Sequence, residues 1–317
     1  NKKALFIKIC LCWLWSYFFI LSAKVSKKNL IRNIILIRLL DIYVSQKCAF
    51  SLSKGVFMFW KKYDLNNGQA EHLNLGEELE LGLERHHNEF RLHHRTPSAE
   101  PSSPAYNCAR WVLQDAKKPA DRRMPVSVMP ALPDRPLIVR PEFPLHLMPG
   151  AEIHIFIRVP LFVSISHELP QKRALLTELP SFRLSNTWFG EITEGELCYW
   201  LKTRARTIPE TEEHKPHLCT CPIHIVNTSD EELLADKLCL RMEPLHIYEL
   251  NGALWSDQMN IFYKGEEKFS DLAAAGKPPA QAPGARLLSK PRKSGSSNIA
   301  VRTFKALNQL QPFSVFS

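Results

Sequence analysis

The stretch AEIHIFIRV, residues 151–159, alternates apolar side chains with other side chains at a period of two. Two sets fall on opposite sides of an extended chain: Ile153, Ile155, Ile157 and Val159 on one, and His154, Phe156 and Arg158 on the other. Alternate residues of a β-strand face opposite sides of the sheet, and β-branched residues favour strands. The stretch therefore predicts a half-buried strand.

The same alternation recurs along the chain, for example in ELELGLE (78–84), EFRLHHR (89–95) and HLCTCPIHIV (217–226). Turn residues such as Glu194-Gly195 separate neighbouring segments, and no long helical pattern lies between them. The sequence predicts an all-β fold, a β-sandwich or barrel-like arrangement of many short antiparallel strands. The alternation of strands and helices that is typical of nucleotide-binding folds is missing.

Residues 1–57 differ from the rest of the chain. They hold ten of the 41 lysines and arginines but one of the 32 acids, Asp41, so the remaining residues have 31 of each and no net charge. They contain no proline, histidine or glutamate, and the first methionine is Met58. We expect this hydrophobic basic segment to be upstream sequence translated in frame, outside the natural protein. In the alternative reading, the fifteen mostly apolar residues 9–23 form a signal peptide or an inner-membrane anchor, although about 20 are needed to span a bilayer.

The neutral remainder argues against nucleic acid as a partner and against direct membrane insertion of residues 58–317. Five cysteines follow Met58, an odd number that is thinly spread and does not form a disulfide framework. We therefore expect a cytoplasmic protein. The composition divides it into a single β domain at 58–272, a flexible linker rich in alanine, glycine and proline at 273–297, and a short C-terminal helix and tail at 298–317.

The sequence carries none of the common catalytic motifs. The sequence has no GxSxG nucleophile elbow, no HExxH zinc motif and no complete phosphate-binding loop. We accordingly expect no cofactor and assign no catalytic residue.

The segment HKPHLCTCPIH, residues 214–224, is the best candidate for a metal site. In a strand, His217, Cys219 and Cys221 share one face, but they span about 13 Å at ~3.3 Å per residue, too far for one tetrahedral zinc ion. A metal would need further ligands from elsewhere in the fold. We therefore favour ordinary strand residues with buried thiols and expect no metal.

The hairpin WFGEITEGE offers a second candidate, a surface for a ligand or partner formed by Trp188, Phe189, Glu191 and Glu194. Aromatic side chains beside a turn can form a binding platform, and paired carboxylates can divide acid and base work. The alternatives are packing of the aromatic residues in the core and a solvated acidic loop.

Two long stretches carry a resemblance to a known family: TWFGEITEGELCYWLKTRA (187–205) and the segment from Pro222 to Gly265. They resemble an uncharacterised bacterial and archaeal family of unknown function (DUF432-like), over about residues 58–307. The resemblance implies a bacterial β protein and supplies no activity. It also suggests a membrane channel as the first partner to test, because such genes are associated with those of mechanosensitive channels.

Taken together, these observations favour a non-enzymatic module that binds a protein or small ligand. Two alternatives remain open: a metal-dependent enzyme of unrecognised type, and a membrane-anchored interaction protein if residues 1–57 are genuine.

Overall fold

The computed structural model describes residues 59–75, 79–95, 107–113, 123–168, 173–190, 193, 195–209, 215–265, 270–293, 299–301 and 304–305. Residues 1–57, Glu191 and Glu194 lie outside this part of the chain. Strands make up its regular structure, which confirms the predicted all-β class. The described part has no apolar helix of a length that would cross a bilayer.

In chain order the strands are β1 (Lys61–Leu65), β2 (Ala70–Leu75), β3 (Leu79–His86), β4 (Glu89–Arg95), β5 (Asn107–Val112), β6 (Met124–Ala131), β7 (Leu137–Val139), β8 (Leu145–Leu147), β9 (Glu152–Pro160), β10 (Phe162–Glu168), β11 (Arg173–Pro180), β12 (Ser185–Phe189), β13 (Glu196–Trp200), β14 (Leu218–Asn227), β15 (Leu233–Ala235), β16 (Lys237–Leu240), β17 (Ile247–Leu250), β18 (Ala253–Ser256), β19 (Met259–Tyr263), β20 (Ser270–Ala274), β21 (Arg286–Ser289), β22 (Ile299–Val301) and β23 (Phe304–Lys305).

Among the described residues, these strands form five sheets. Their orders are β1-β6-β10-β11, β2-β3-β4-β5, β12-β13-β7-β16-β23, β15-β8, and an eight-stranded sheet β21-β17-β18-β14-β19-β20-β22 with β9 beside β14. Most neighbours are antiparallel, but β13 with β7, β14 with β18 and β14 with β19 are parallel. Alternation along a strand does not distinguish the two directions, because side chains point to alternate sides in both.

The buried face of each strand follows from its sequence. On β3, Leu79, Leu81 and Leu83 point inward, and the residues between them are more exposed. One large apolar cluster of such residues extends from Phe59 to Leu272. Each fully buried leucine or isoleucine contributes about 1.5–3 kcal/mol relative to an exposed one.

Short-range turn chemistry sets the hairpin between β17 and β18. Asn251 and Gly252 both have positive φ, 51° and 84°. Two successive positive φ angles are typical of a type I′ turn, whose twist matches that of the flanking strands. The register follows, with Leu250 opposite Ala253.

The end of β14 is fixed by a buried asparagine. The Asn227 amide nitrogen donates to the carbonyl oxygens of Leu147, at 2.8 Å, and Glu231, at 2.7 Å. Its amide oxygen accepts from the backbone nitrogen and hydroxyl of Ser229. Because the side chain is fully buried, these four hydrogen bonds replace those it would make with water.

The predicted linker and C-terminal helix contain strands. Arg286–Ser289, inside the predicted linker 273–297, form β21 and pair with β17. Within the predicted helix, Ile299–Val301 pair with β20 and Phe304–Lys305 pair with β16, so these five residues are strand. Ile299 and Val301 are two residues apart and β-branched, a pattern that fits a strand as well as a helix. The rest of the predicted helix lies outside the described residues.

Candidate functional site

The three metal candidates from the sequence lie on the inner side of β14 or just before it. His217, Cys219 and Cys221 are all buried. The thiol of Cys221 donates to the carbonyl oxygen of Cys219 at 3.9 Å. Burial raises the pKa of the Cys219 thiol well above its ordinary value, and the neighbouring Cys221 raises it further. A protonated thiol is a poor metal ligand, because thiolates are the binding form.

His217 is held in its neutral form. Its side chain is 8% exposed, and its Nδ1 has no hydrogen-bond partner among the described residues. Burial lowers the pKa of His217 to about 4, and the positive charges of Lys215 and Arg158 lower it further in the same direction. The residue therefore remains uncharged at neutral pH.

The two aromatic candidates of the hairpin lie on opposite faces of β12. Trp188 is 51% exposed, whereas Phe189 is 7% exposed and packs with Ile138, Cys198 and Cys239. Trp188 is directly opposite Leu197 of β13, which is 43% exposed. The other two members of that predicted surface, the glutamates, lie outside the described residues.

A histidine pair on β9 and β14 was not predicted from the sequence. The antiparallel register places His154 directly opposite His224, and their rings stack with centroids 4.2 Å apart and planes 4° from parallel. Glu152, two residues along β9, shares their face, and its Oε2 lies 2.9 Å from His224 Nε2. One ligand atom from each of the three side chains lies within 4.8 Å of the other two.

A sequence signal for this pair exists. Both strands contain the tripeptide Ile-His-Ile, at 153–155 and 223–225. Each pattern predicts a histidine on the outer face between two inward isoleucines. Their pairing in register could not be read from either segment alone, because it depends on which strands are neighbours.

A second cluster combines thiols and a carboxylate on the five-stranded sheet. The Sγ atoms of Cys198 and Cys239 lie 4.0 Å apart, beside Glu196, which forms an ion pair with Arg241. Both thiols are buried and free. The hydrogen bond from Cys239 lowers the pKa of Cys198, against the effect of burial, and the same bond raises the pKa of Cys239. The two thiols therefore titrate as a coupled pair, and the second proton is harder to remove than the first.

The third arrangement is a buried aspartate bonded to a histidine. Asp257 accepts from the backbone nitrogen of His246 at 2.8 Å, contacts its Nδ1 at 3.0 Å and accepts from the backbone nitrogen of Gly276 at 3.0 Å. Burial raises the pKa of Asp257, while the hydrogen bonds from His246 lower it in part. The carboxylate links three loop segments, and we assign it a structural role.

Comparison with known proteins gives one match. No curated protein and no solved structure is significantly similar to this chain. Residues 59–308 match the model of a family described as Protein of unknown function (DUF432), which confirms the resemblance noted in the sequence. The matched segment includes β1 to β23 and therefore every cluster described above. The chain belongs to the DUF432 family.

Proposed function

We propose that this protein is a non-enzymatic binding module that recognises a partner protein along the edge of its five-stranded sheet. The observation that supports this is the exposure of Trp188 and Leu197, which face each other across β12 and β13. We call these two side chains, with the main chain of β12, the β12 edge patch. Exposed tryptophan is enriched at protein interfaces, where one such residue often contributes a large share of the binding energy.

The strand that carries the patch has an unprotected composition. β12 is at the edge of its sheet in the described structure, and its sequence, Ser-Asn-Thr-Trp-Phe, has no lysine, proline or acid. Those residues are the usual means by which an edge strand avoids pairing with other chains. An uncharged edge with an exposed tryptophan therefore favours the addition of a strand from a partner.

The surroundings of the patch support a preformed site. Beneath β12, buried Phe189 fixes the strand against the sheet. Beside the patch, Arg135 donates to the Asn186 amide oxygen at 3.1 Å, and the Tyr199 hydroxyl donates to Asp134 at 3.0 Å. An apolar centre with a polar rim is the common anatomy of protein interfaces, and rigidity reduces the entropy lost on binding.

The test compares the proteins that co-purify from the native host with the full wild-type chain and with two variants of it. Trp188→Ala removes the anchor, and Phe143→Ala is the matched control, because Phe143 is 75% exposed and lies outside the patch. We expect a partner, with membrane channels examined first, to be recovered with the wild type and the control. The loss of a hot-spot tryptophan costs about 2 kcal/mol or more, so the affinity for the partner should fall by roughly 30-fold or more and its recovery with Trp188→Ala should fall steeply.

Two outcomes would contradict the proposal. In the first, the same proteins are recovered equally with Trp188→Ala. In the second, sedimentation velocity shows a homodimer that Trp188→Ala dissociates, which would make the patch a self-association surface. Capture of a protein that does not depend on Trp188 would not count in favour.

We also propose a cytoplasmic location. The five cysteines of the described residues are free, including the Cys198–Cys239 pair with neighbouring thiols. Free thiols are the usual state in a reducing compartment. Fractionation of the native host tests this: recovery in the cytosolic fraction is expected, and retention in membranes after an alkaline carbonate wash would exclude it.

A further inference from the structure

We propose that Glu152, His154 and His224 bind one divalent transition-metal ion, with zinc as the reference ion, on the outer face of the eight-stranded sheet. The donor set is two imidazoles and one carboxylate. Imidazole nitrogen suits zinc, copper, nickel and iron, and two histidines with one carboxylate form a recurrent set that leaves coordination positions open for water or another ligand.

The distances allow binding after a small rearrangement of side chains. Donor atoms bound to one ion at about 2.1 Å lie roughly 3.0–3.5 Å apart. Glu152 Oε2 and His224 Nε2 are already 2.9 Å apart, and all three ligand atoms lie within 4.8 Å of one another. The nitrogen of His154 lies no more than 4.8 Å from either of the other two donor atoms. The approach that binding requires is therefore at most about 2 Å, a distance that side-chain rotation supplies.

Metal binding requires the two stacked imidazole rings to change their orientation. Two parallel imidazoles 4.2 Å apart do not direct their in-plane lone pairs at one point. Metal binding must tilt the rings toward each other and end the stacking. Glu152 and His154 are exposed, so this movement meets little steric resistance.

The strands that carry the three ligands pack against the core on their opposite face. On the opposite face of the same strands, Ile155 pairs with Ile223 in the buried core, and Ile153 pairs with Ile225. The ligand Cα positions are therefore fixed by packing, and only side-chain freedom is lost on binding. On β19, Asn260 lies opposite His224. The amide oxygen of Asn260 accepts a hydrogen bond from the Gln258 side chain at 2.7 Å and therefore already has a partner.

The same three side chains could also lie together without a metal, because the Glu152–His224 contact at 2.9 Å is a hydrogen bond in its own right. A metal titration separates the two readings. We would strip the full chain with chelator and titrate it with zinc chloride by calorimetry. One ion per chain is expected. His154→Ala and His224→Ala should each weaken binding by roughly tenfold or more, and Glu152→Gln by several-fold.

The matched control is His146→Ala. His146 is an exposed histidine whose Nδ1 lies 3.0 Å from Glu232 Oε1, an equivalent histidine–glutamate pair without a second histidine. Its replacement should leave zinc affinity unchanged. Circular dichroism and urea unfolding of each variant verify folding, and Glu152→Gln keeps the test decisive if a histidine variant fails to fold, because Glu152 is exposed.

Cobalt(II) spectra identify the ligands independently. We expect ligand-field bands without thiolate-to-cobalt charge transfer, and their loss in His224→Ala. A thiolate band that disappears in Cys239→Ser would place the ion at the Cys198–Cys239 cluster and overturn the assignment. Zinc binding that is absent, or equal in wild type and His154→Ala, would also overturn it. Neither result bears on partner binding through Trp188.

Discussion

His217 makes the stability of the fold depend on pH. Its side chain is buried at the start of β14, with Lys215 and Arg158 nearby, and its pKa falls from 6.5 to about 4 in the folded protein. Between these values the unfolded chain binds a proton that the folded chain does not. The stabilising contribution is therefore complete above pH 6.5 and is lost as the pH falls toward 4.

The magnitude follows from the two pKa values. The full shift corresponds to about 3 kcal/mol at 1.36 kcal/mol per unit, and the part lost at about pH 5.0 is roughly 2 kcal/mol. Partial access of solvent screens the charge, so we expect a measured loss of about 1–2 kcal/mol.

The assay is urea unfolding at about pH 7.5 and pH 5.0, monitored by tryptophan fluorescence. The wild type is compared with His217→Gln, which has no titrating group at this position, and with the exposed control His146→Gln. Titratable groups other than the two replaced histidines are present in all three proteins and cancel in the comparison. The wild type and the control should lose about 1–2 kcal/mol more than His217→Gln on acidification. An equal loss in all three proteins would refute the reasoning.

Three further predictions concern local structure. Asn227→Ala removes four buried hydrogen bonds and should lower the free energy of unfolding by about 2–4 kcal/mol. The control Asn186→Ala, at an exposed site, should change the free energy of unfolding by less than about 0.5 kcal/mol. Similar values for the two variants would contradict the role of burial. Gly252→Ala places a Cβ at a φ of 84° and should cost about 1 kcal/mol in urea unfolding, so an unchanged midpoint would argue against the type I′ turn. Brief alkylation of the native protein should label exposed Cys108 and spare buried Cys219, as read by peptide mass spectrometry, and equal labelling of the two would show that β14 is accessible.

The strands themselves could be predicted from the sequence, because their signal is local. In AEIHIFIRV the apolar side is read directly, and the structure buries Ile155, Ile157 and Val159 as expected. The dissimilar exposure of Trp188 and Phe189 also follows from their adjacency, since neighbouring residues of a strand face opposite sides.

The C-terminal residues show where a local signal is ambiguous. Ile299 and Val301 fit both a helical stripe and a strand, and pairing with β20 decided the matter for these residues. The sequence contains no measure of that pairing, because it is a contact between segments that are distant along the chain.

The chain by itself determined the all-β class and, in strands such as β3, which side is buried, because both depend on residues one and two positions apart. It also determined that His154 and His224 point away from the core. Only the tertiary structure decided that β9 lies beside β14 in the register that stacks these two histidines next to Glu152. The physical reason is that a metal site needs donor atoms within a few ångströms, and 70 residues separate these two histidines in the sequence, so their proximity is a property of sheet order and register alone.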